Sequence, residues 1–366
     1  MDKSKLTTNF KDFKKYGLFV LIFIPYAIEY ICYSSNHFIQ FEFEKKLLFL
    51  FAPFVFYLNE NIESKFRIDY AINCFISSVA ILSMMAMLYL FFWGNLFSVE
   101  IYRNGAFELR KSFEEISGQH PIYYGLFSTT AALWIIYYFD KYSKNLKWLL
   151  GVSLFFMLLL NLLIAAKMPL IILTLGLIWI AYKKVSNKRK LWILYACSFL
   201  MIIGISFLIP SLRNRLLEIP YYFLQPQINN TLLERNVILN CSKNIFLNEI
   251  YTGVGSRNTQ LFLDSSYLMV NFYKGYFFHF NSHNQFLTFG INYGIGMIAV
   301  FVLLLLTIFR KIKNDPFGII FLFSSILIML TESILERQMG IYYFLFFGLL
   351  FVRNRHNKKV TFTNPK

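Results

Sequence analysis

The stretch QFLTFGINYGIGMIAVFVLLLLTIF, residues 285–309, contains no charged side chain. It exceeds the roughly 20 helical residues that cross the hydrocarbon core of a bilayer. Residues 16–33, 70–96 and 191–210 form further long apolar blocks. The 366-residue chain is 57% hydrophobic and only 15% charged, more apolar surface than one soluble core of this size can bury. These features predict an all-α fold class, a polytopic membrane helical bundle.

The apolar blocks predict about ten transmembrane helices. The predicted spans are residues 16–34, 46–58, 70–94, 121–139, 148–165, 168–182, 191–210, 284–309, 317–334 and 340–352. Lys167 and Pro169 split the run 148–182 in two, because proline suits the first turn of a new helix. We therefore expect a single integral-membrane domain, 1–366, with one large external loop, 211–282, between spans seven and eight.

The charge pattern predicts orientation and argues against nucleic acid as a partner. The net charge of +16 comes from short basic clusters between apolar blocks, such as KKVSNKRK at 183–190 and RNRHNKK at 353–359. Short basic loops stay on the cytoplasmic side of a membrane. With ten spans, this places both termini in the cytoplasm and the long loop outside. The four cysteines show no metal-ligand spacing and no disulfide framework.

Ionisable side chains gather where the predicted spans meet the outer surface. They are His120, Lys167, Arg235, His283, Glu332, Glu336 and Arg337. Ionisable groups near a bilayer are costly and therefore candidates for function. Simpler interpretations compete: interfacial cations often only extend to headgroups, and a histidine at a helix start is more often a cap than a catalyst. Glu332 and Glu336 lie four residues apart, so on one helix they would share a face, where they would either orient His283 or Arg337 or only pair locally.

Several motifs occur in a consistent order along the chain. SHNQFLTFGINYGIG (282–296) puts His283 and Asn284 at a span entrance, and HPIYYGLF (120–127) does the same for His120. LLIAAKMPLIIL (162–173) places Lys167 after small residues. LLERNVILN (232–240) is followed by YTGVGSRN (251–258), and LTESILERQMGIYYFLFF (330–347) closes the series. Together they resemble the bacterial O-antigen ligase and O-antigen polymerase family over roughly residues 118–350.

The resemblance implies a membrane glycosyltransferase of the bacterial inner membrane, acting on the periplasmic face without a metal or other cofactor. Its partners would be a polyprenyl-diphosphate-linked glycan donor, a glycan or lipid-core acceptor, and the bilayer. It implies His283 as general base and Arg235 and Lys167 as stabilisers of the diphosphate, with inversion at the anomeric carbon. Lys167 stands where many members have arginine. Candidate substrate-binding residues are Arg257, Arg215, Arg337, Asn284, His120 and Glu332.

Two other functions stay open. Glu42 and Glu44, in FEFEKK (41–46), form a carboxylate pair that could hold a divalent ion for a metal-dependent glycosyltransferase. The second is a flippase or transporter for lipid-linked sugars. Such a protein is expected to have paired interrupted helices and polar residues at mid-membrane. Within the family, the sequence does not separate ligase from polymerase, nor does it identify the sugar, the linkage or the acceptor.

Overall fold

The computed structural model describes residues 10–34, 36–58, 68–93, 106–164, 166–184, 204 and 231–353. Every regular element in these ranges is a helix. The α-helices are α1 (Phe10–Tyr33), α2 (His37–Lys46), α3 (Leu48–Leu58), α4 (Ile68–Phe92), α5 (Ala106–Ser117), α6 (Pro121–Tyr138), α7 (Lys144–Ile164), α8 (Lys167–Lys184), α9 (Thr231–Asn248), α10 (Ser256–Met269), α11 (Tyr273–Phe277), α12 (Gln285–Ile312), α13 (Pro316–Met329) and α14 (Gln338–Arg353). Short 3₁₀ turns cover Phe139–Lys141 and Ile334–Glu336.

Five of the described helices are long and apolar enough to cross a membrane. These candidate spans are Tyr16–Tyr33, Tyr70–Phe92, Pro121–Lys141, Lys144–Ile164 and Gln285–Ile312. The all-α prediction is confirmed for the described residues, and these five apolar helices agree with a helical membrane protein. The count of ten spans stays a prediction. The predicted span 191–210 and the loop residues 211–230 fall outside the described residues, except residue 204.

Two predicted spans differ from the helices that form. The segment predicted at 46–58 becomes α3, which has 11 residues and is therefore only about 16 Å long. The segment predicted at 317–334 ends as a helix at Met329. The following residues, 330–333, form a turn, so Glu332 and Glu336 do not share a helix face and that prediction is wrong.

The chain divides into two compact units. The second unit contains α4 to α8, in which α6 packs against α7 and α8. Gly125 allows close contact with α8, because a Cβ there would lie 2.5 Å from the ring of Pro169. The predicted break between two helices is confirmed, since α7 ends at Ile164 and α8 begins at Lys167. A single membrane domain over 1–366 stays a prediction.

The first unit contains α1 to α3 and α9 to α14, and α12 is broken inside it. Tyr293 and Gly294 leave helical geometry, with φ of +73° at Gly294. The chain at 250–255 fills the break, and Ile295 donates its N–H to the carbonyl of Ile250 at 2.7 Å. A Cβ at residue 294 would lie 2.2 Å from the Tyr251 carbonyl oxygen, so glycine is required.

Candidate functional site

The start of α12 lies against the non-helical segment 330–337. Asn284 donates from Nδ2 to the carbonyl of Leu330 at 3.0 Å. Leu335 donates its N–H to Oε1 of Gln285 at 2.8 Å. Three hydroxyl groups also bond one another here, on Ser282, Thr288 and Ser333. The two segments are therefore fixed relative to each other by buried hydrogen bonds, which are costly to break.

This arrangement brings together three side chains from distant parts of the sequence. Glu332 accepts from Nη2 of Arg235 on one oxygen at 2.6 Å. Its other oxygen lies 3.0 Å from Nδ1 of His283. We call His283, Glu332 and Arg235 the Glu332 cluster. One carboxylate thus orients an imidazole and a guanidinium together.

The contact with Glu332 determines which imidazole nitrogen of His283 carries the proton. An ionised carboxylate only accepts hydrogen bonds, so the hydrogen lies on Nδ1 and Nε2 keeps a free lone pair in the neutral ring. The side chain is 28% exposed, and Nε2 has no hydrogen-bond partner among the described residues. The backbone has φ of +45°, a left-handed conformation, and its N–H donates to Oδ1 of Asn281 at 2.9 Å. Such backbone strain occurs preferentially at functional sites.

The guanidinium of Arg235 is held along one edge only. Nη1 donates to the carbonyl of Thr331 at 3.0 Å, and Nη2 donates to Glu332. These bonds use one hydrogen on each terminal nitrogen. Nε–H and the second hydrogen of each terminal nitrogen have no acceptor within the described ranges, and the side chain is 40% exposed. An oriented, partly exposed guanidinium can still bind a phosphate oxygen pair.

The charge state of Glu332 follows from its neighbours. Burial alone would raise the pKa of its carboxyl. The hydrogen bonds and charges of His283 and Arg235 outweigh burial and hold that pKa below its ordinary value. Glu332 is therefore ionised near neutral pH and keeps its acceptor role.

A buried lysine supports the segment that carries Glu332. Lys46 is fully buried; its Nζ donates to the carbonyl of Leu335 and lies 3.0 Å from Oε1 of Glu336. Lys45 donates to the carbonyl of Glu336 at 3.2 Å. This support was not predicted from the sequence, which gave Glu336 either a role in orienting His283 or Arg337 or a local partner. The adjacent lysines that end α2 were the available signal, since buried lysine is rare unless paired.

A second contact that the sequence analysis did not predict joins α1 to the region around the break in α12. Glu29 accepts from the N–H of Ser256 at 2.8 Å, and Tyr293 donates its hydroxyl to the same carboxylate at 2.8 Å. Ser256 begins α10, so the carboxylate lies at the positive end of that helix. An acidic residue in an apolar span was the signal in the sequence.

Three of the predicted substrate-binding residues make structural contacts. Asn284 is the N-cap of α12 and accepts from the N–H groups of Phe286 and Leu287. His120 is the N-cap of α6, as the simpler interpretation predicted, and its Nδ1 accepts from Ile122 at 3.4 Å. Arg257 lies 4.7 Å from the ring centre of Tyr33. Arg257 also donates from Nε to Oδ1 of Asn258 at 3.4 Å, and neither contact joins it to the Glu332 cluster.

The remaining predicted cations are Arg337, Lys167 and Arg215. Arg337 is exposed and follows the 3₁₀ turn. Lys167 is the first residue of α8 in the second unit, so its predicted role beside His283 stays a prediction. Arg215 lies outside the described residues.

The carboxylate pair Glu42 and Glu44 does not converge on a common point. Residues two apart on a helix project to different sides. Glu42 bonds Lys45, whereas Glu44 accepts from Gln40 Nε2 at 3.2 Å. Within the described ranges, no group of three or more His, Cys, Asp or Glu side chains is arranged to hold a metal ion. The geometry therefore lends no support to the metal-dependent alternative.

Neither a protein-family model nor a curated protein matches the chain.

Proposed function

We propose that the protein is a membrane glycosyltransferase that transfers or polymerises glycan from a polyprenyl-diphosphate-linked donor onto a sugar hydroxyl. The observation that carries this proposal is the Glu332 cluster, in which one carboxylate holds an imidazole and a guanidinium with free donor and acceptor atoms. The cluster lies at the entrance of α12, one of the five candidate membrane spans. A lipid-linked substrate has its reacting carbon next to a diphosphate at such a boundary. The resemblance to O-antigen ligases and polymerases supports the same function.

In the proposed reaction, the acceptor hydroxyl oxygen attacks the anomeric carbon of the donor sugar. The bond from that carbon to the diphosphate oxygen breaks, and its electron pair leaves with the polyprenyl diphosphate. The hydroxyl proton passes to Nε2 of His283, and Glu332 stabilises the imidazolium formed. A positioned general base contributes about 10² to 10⁴ in rate. Attack opposite the leaving group inverts the anomeric centre.

Arg235 has the complementary role in this proposal. Charge develops on the diphosphate as the carbon–oxygen bond breaks, and a preoriented guanidinium stabilises it without reorganisation. The free edge of Arg235 can donate two parallel hydrogen bonds to phosphate oxygens. With neutral His283, the Glu332 cluster carries no net charge, so further cations would add to binding. Lys167, Arg257, Arg215 and Arg337 remain the predicted sources.

The test combines a deletion with point variants. Loss of the long-chain ladder with one repeat retained on a glycan gel would indicate a polymerase, whereas accumulated lipid-linked polymer would indicate a ligase. His283→Ala and Arg235→Ala should each abolish transfer at unchanged membrane expression. Lys243→Ala is the matched control, because Lys243 is an exposed cation on the same helix as Arg235. Wild-type transfer in either cluster variant would remove that residue from the mechanism.

Lys167 has its own test. Lys167→Arg should retain transfer, since arginine is common at the corresponding place in the family it resembles. An inactive but folded variant would show that a compact ammonium is needed there.

A flippase is the second candidate, because broken helices also occur in transporters. In those proteins the freed backbone groups face substrate or ions. Here Val254 and Gly255 donate to the freed carbonyls of Ile291 and Asn292 at 2.8 and 2.9 Å. The break is therefore filled by the chain itself, which favours the enzyme. Reconstitution in liposomes separates the two, since an enzyme changes glycan linkage and a flippase moves its substrate unchanged.

A further inference from the structure

A second imidazole–carboxylate pair lies four residues before His283 in the sequence. Nδ1 of His279 lies 2.7 Å from Oδ2 of Asp264. The other oxygen of Asp264 accepts from Nε2 of Gln260 at 2.8 Å. The Asp264 side chain is only 13% exposed, whereas that of His279 is 66% exposed. A mostly buried carboxylate therefore orients an imidazole whose Nε2 edge is available to a ligand.

A row of aromatic rings runs from this pair to the Glu332 cluster. Phe278, which is 68% exposed, stacks on Phe280 with ring centres 6.0 Å apart and an interplanar angle of 16°. Phe280 in turn contacts the ring of His283 edge to face, at 6.1 Å. Its backbone is fixed, because its N–H donates to Gly275 and its carbonyl accepts from the hydroxyl of Tyr267 at 3.0 Å. The row is part of the folded loop and leads to His283.

The exposed ring of Phe278 beside the oriented imidazole of His279 suits a saccharide. Sugar rings have an apolar face of C–H groups and a rim of hydroxyl groups. Binding sites for small molecules commonly join aromatic surface to a few placed polar groups. A lipid contact is disfavoured here, because it would bring the ionisable groups of His279 and Asp264 into the bilayer.

We propose that Gln260, Asp264, Phe278 and His279 form an acceptor subsite, which binds a saccharide unit of the acceptor glycan. The assignment to the acceptor rests on the proposed function. His283 receives the proton of the acceptor hydroxyl, so the glycan that reaches His283 along the ring row must be the one that supplies this hydroxyl. Phe278 stacks on the sugar face, and His279 bonds its hydroxyls.

The decisive comparison uses two neighbouring phenylalanines. Phe277 is 71% exposed, close to the value for Phe278, but within the described residues its ring contacts Tyr276 and not the row. The full-length protein in nanodiscs is assayed for transfer over a range of acceptor concentrations. Phe278→Ala and His279→Ala should each raise the acceptor KM about tenfold, equivalent to about 1.4 kcal/mol, with kcat within about twofold of wild type. Phe277→Ala should match the wild type.

A binding measurement separates this inference from the proposed function. Saturation-transfer difference NMR is recorded on the same nanodiscs with soluble oligosaccharides released from the surface glycan of the producing cell. Wild type and His283→Ala should bind, whereas Phe278→Ala and His279→Ala should not. If this binding pattern holds but the wild type transfers no glycan, the saccharide site stands and the proposed function fails.

The opposite results overturn the subsite. An unchanged acceptor KM in both variants, with normal transfer, leaves the enzyme standing and removes the subsite. Equal losses in Phe277→Ala and Phe278→Ala would indicate a general apolar contact with lipid and would also overturn it.

Discussion

Substituting Glu332 with glutamine directly tests the proposed role of His283, because it keeps the shape of the side chain and replaces one carboxylate oxygen with an amide nitrogen. The amide has one acceptor oxygen and one donor nitrogen. Arg235 needs the oxygen, since its Nη2 lies only 2.6 Å from Glu332 and two donors cannot face each other there. The amide nitrogen then faces Nδ1 of His283. A donor at that position stabilises the tautomer with hydrogen on Nε2, which is the nitrogen that must accept the proton.

The expected loss follows from this tautomer exchange. Base catalysis is worth about 10² to 10⁴ in rate, and the wrong tautomer in a comparable imidazole–carboxylate pair costs about 10⁴ in kcat. We expect Glu332→Gln to lower kcat by about 10² to 10⁴ and to leave the acceptor KM nearly unchanged. The assay is transfer from lipid-linked donor to acceptor in nanodiscs.

Glu234→Gln provides the matched control. Glu234 pairs with Lys274 at 2.7 Å, an ion pair in which the lysine side chain is 53% exposed. Such pairs contribute little, so this variant should keep full activity. If Glu332→Gln also retained wild-type kcat, the carboxylate would not set the tautomer and the proposed role of His283 would be refuted.

The same substitution predicts a pH dependence of stability. Since the pKa of Glu332 lies below its ordinary value of 4.5 in the folded protein, its contribution to stability is fully present above that value. The contribution is lost as pH falls through the lower, folded pKa. Melting temperatures of wild type and Glu332→Gln should therefore differ at pH 7 and converge in acid. A difference that grows below pH 4.5 would contradict this.

Two further substitutions test the supports of the site. Gly294→Ala should prevent stable folding, because its Cβ would lie 2.2 Å from the Tyr251 carbonyl oxygen. The control Gly296→Ala has open space around its Cβ and should be neutral. Stability of both variants in detergent is the measurement. Lys46→Met should destabilise the protein by up to about 3–5 kcal/mol, because it removes the ion pair of Glu336 and leaves Lys45 as the nearby cation. Adding Glu336→Gln should recover part of that loss, and no recovery would mean that the lysine acts mainly through the backbone carbonyl.

Composition and periodicity predicted the helical class and several element positions. The break before Lys167 follows from a local signal, the proline at position 169. Such a signal depends only on neighbouring residues, so it can be read from a single sequence. His283 and Arg235 were selected from motifs in the same way.

The sequence left the role of Glu332 open between orienting His283 or Arg337 and pairing locally with Glu336. Its spacing from Glu336 fits a helix pair, but α13 ends at Met329 and the two carboxylates turn to different partners, Glu332 to Arg235 and His283, Glu336 to Lys46. These partners are 49 to 290 positions away along the chain.

The amino-acid order alone therefore determined that the chain forms apolar helices and which residue types stand at their ends, because helix formation and bilayer-length patterning depend on near neighbours. Only the packing of α2, α9, α12 and the 330–337 segment decided which charges meet. The partner of a buried charge is set by tertiary packing, so it cannot be predicted from the residues next to that charge in the sequence.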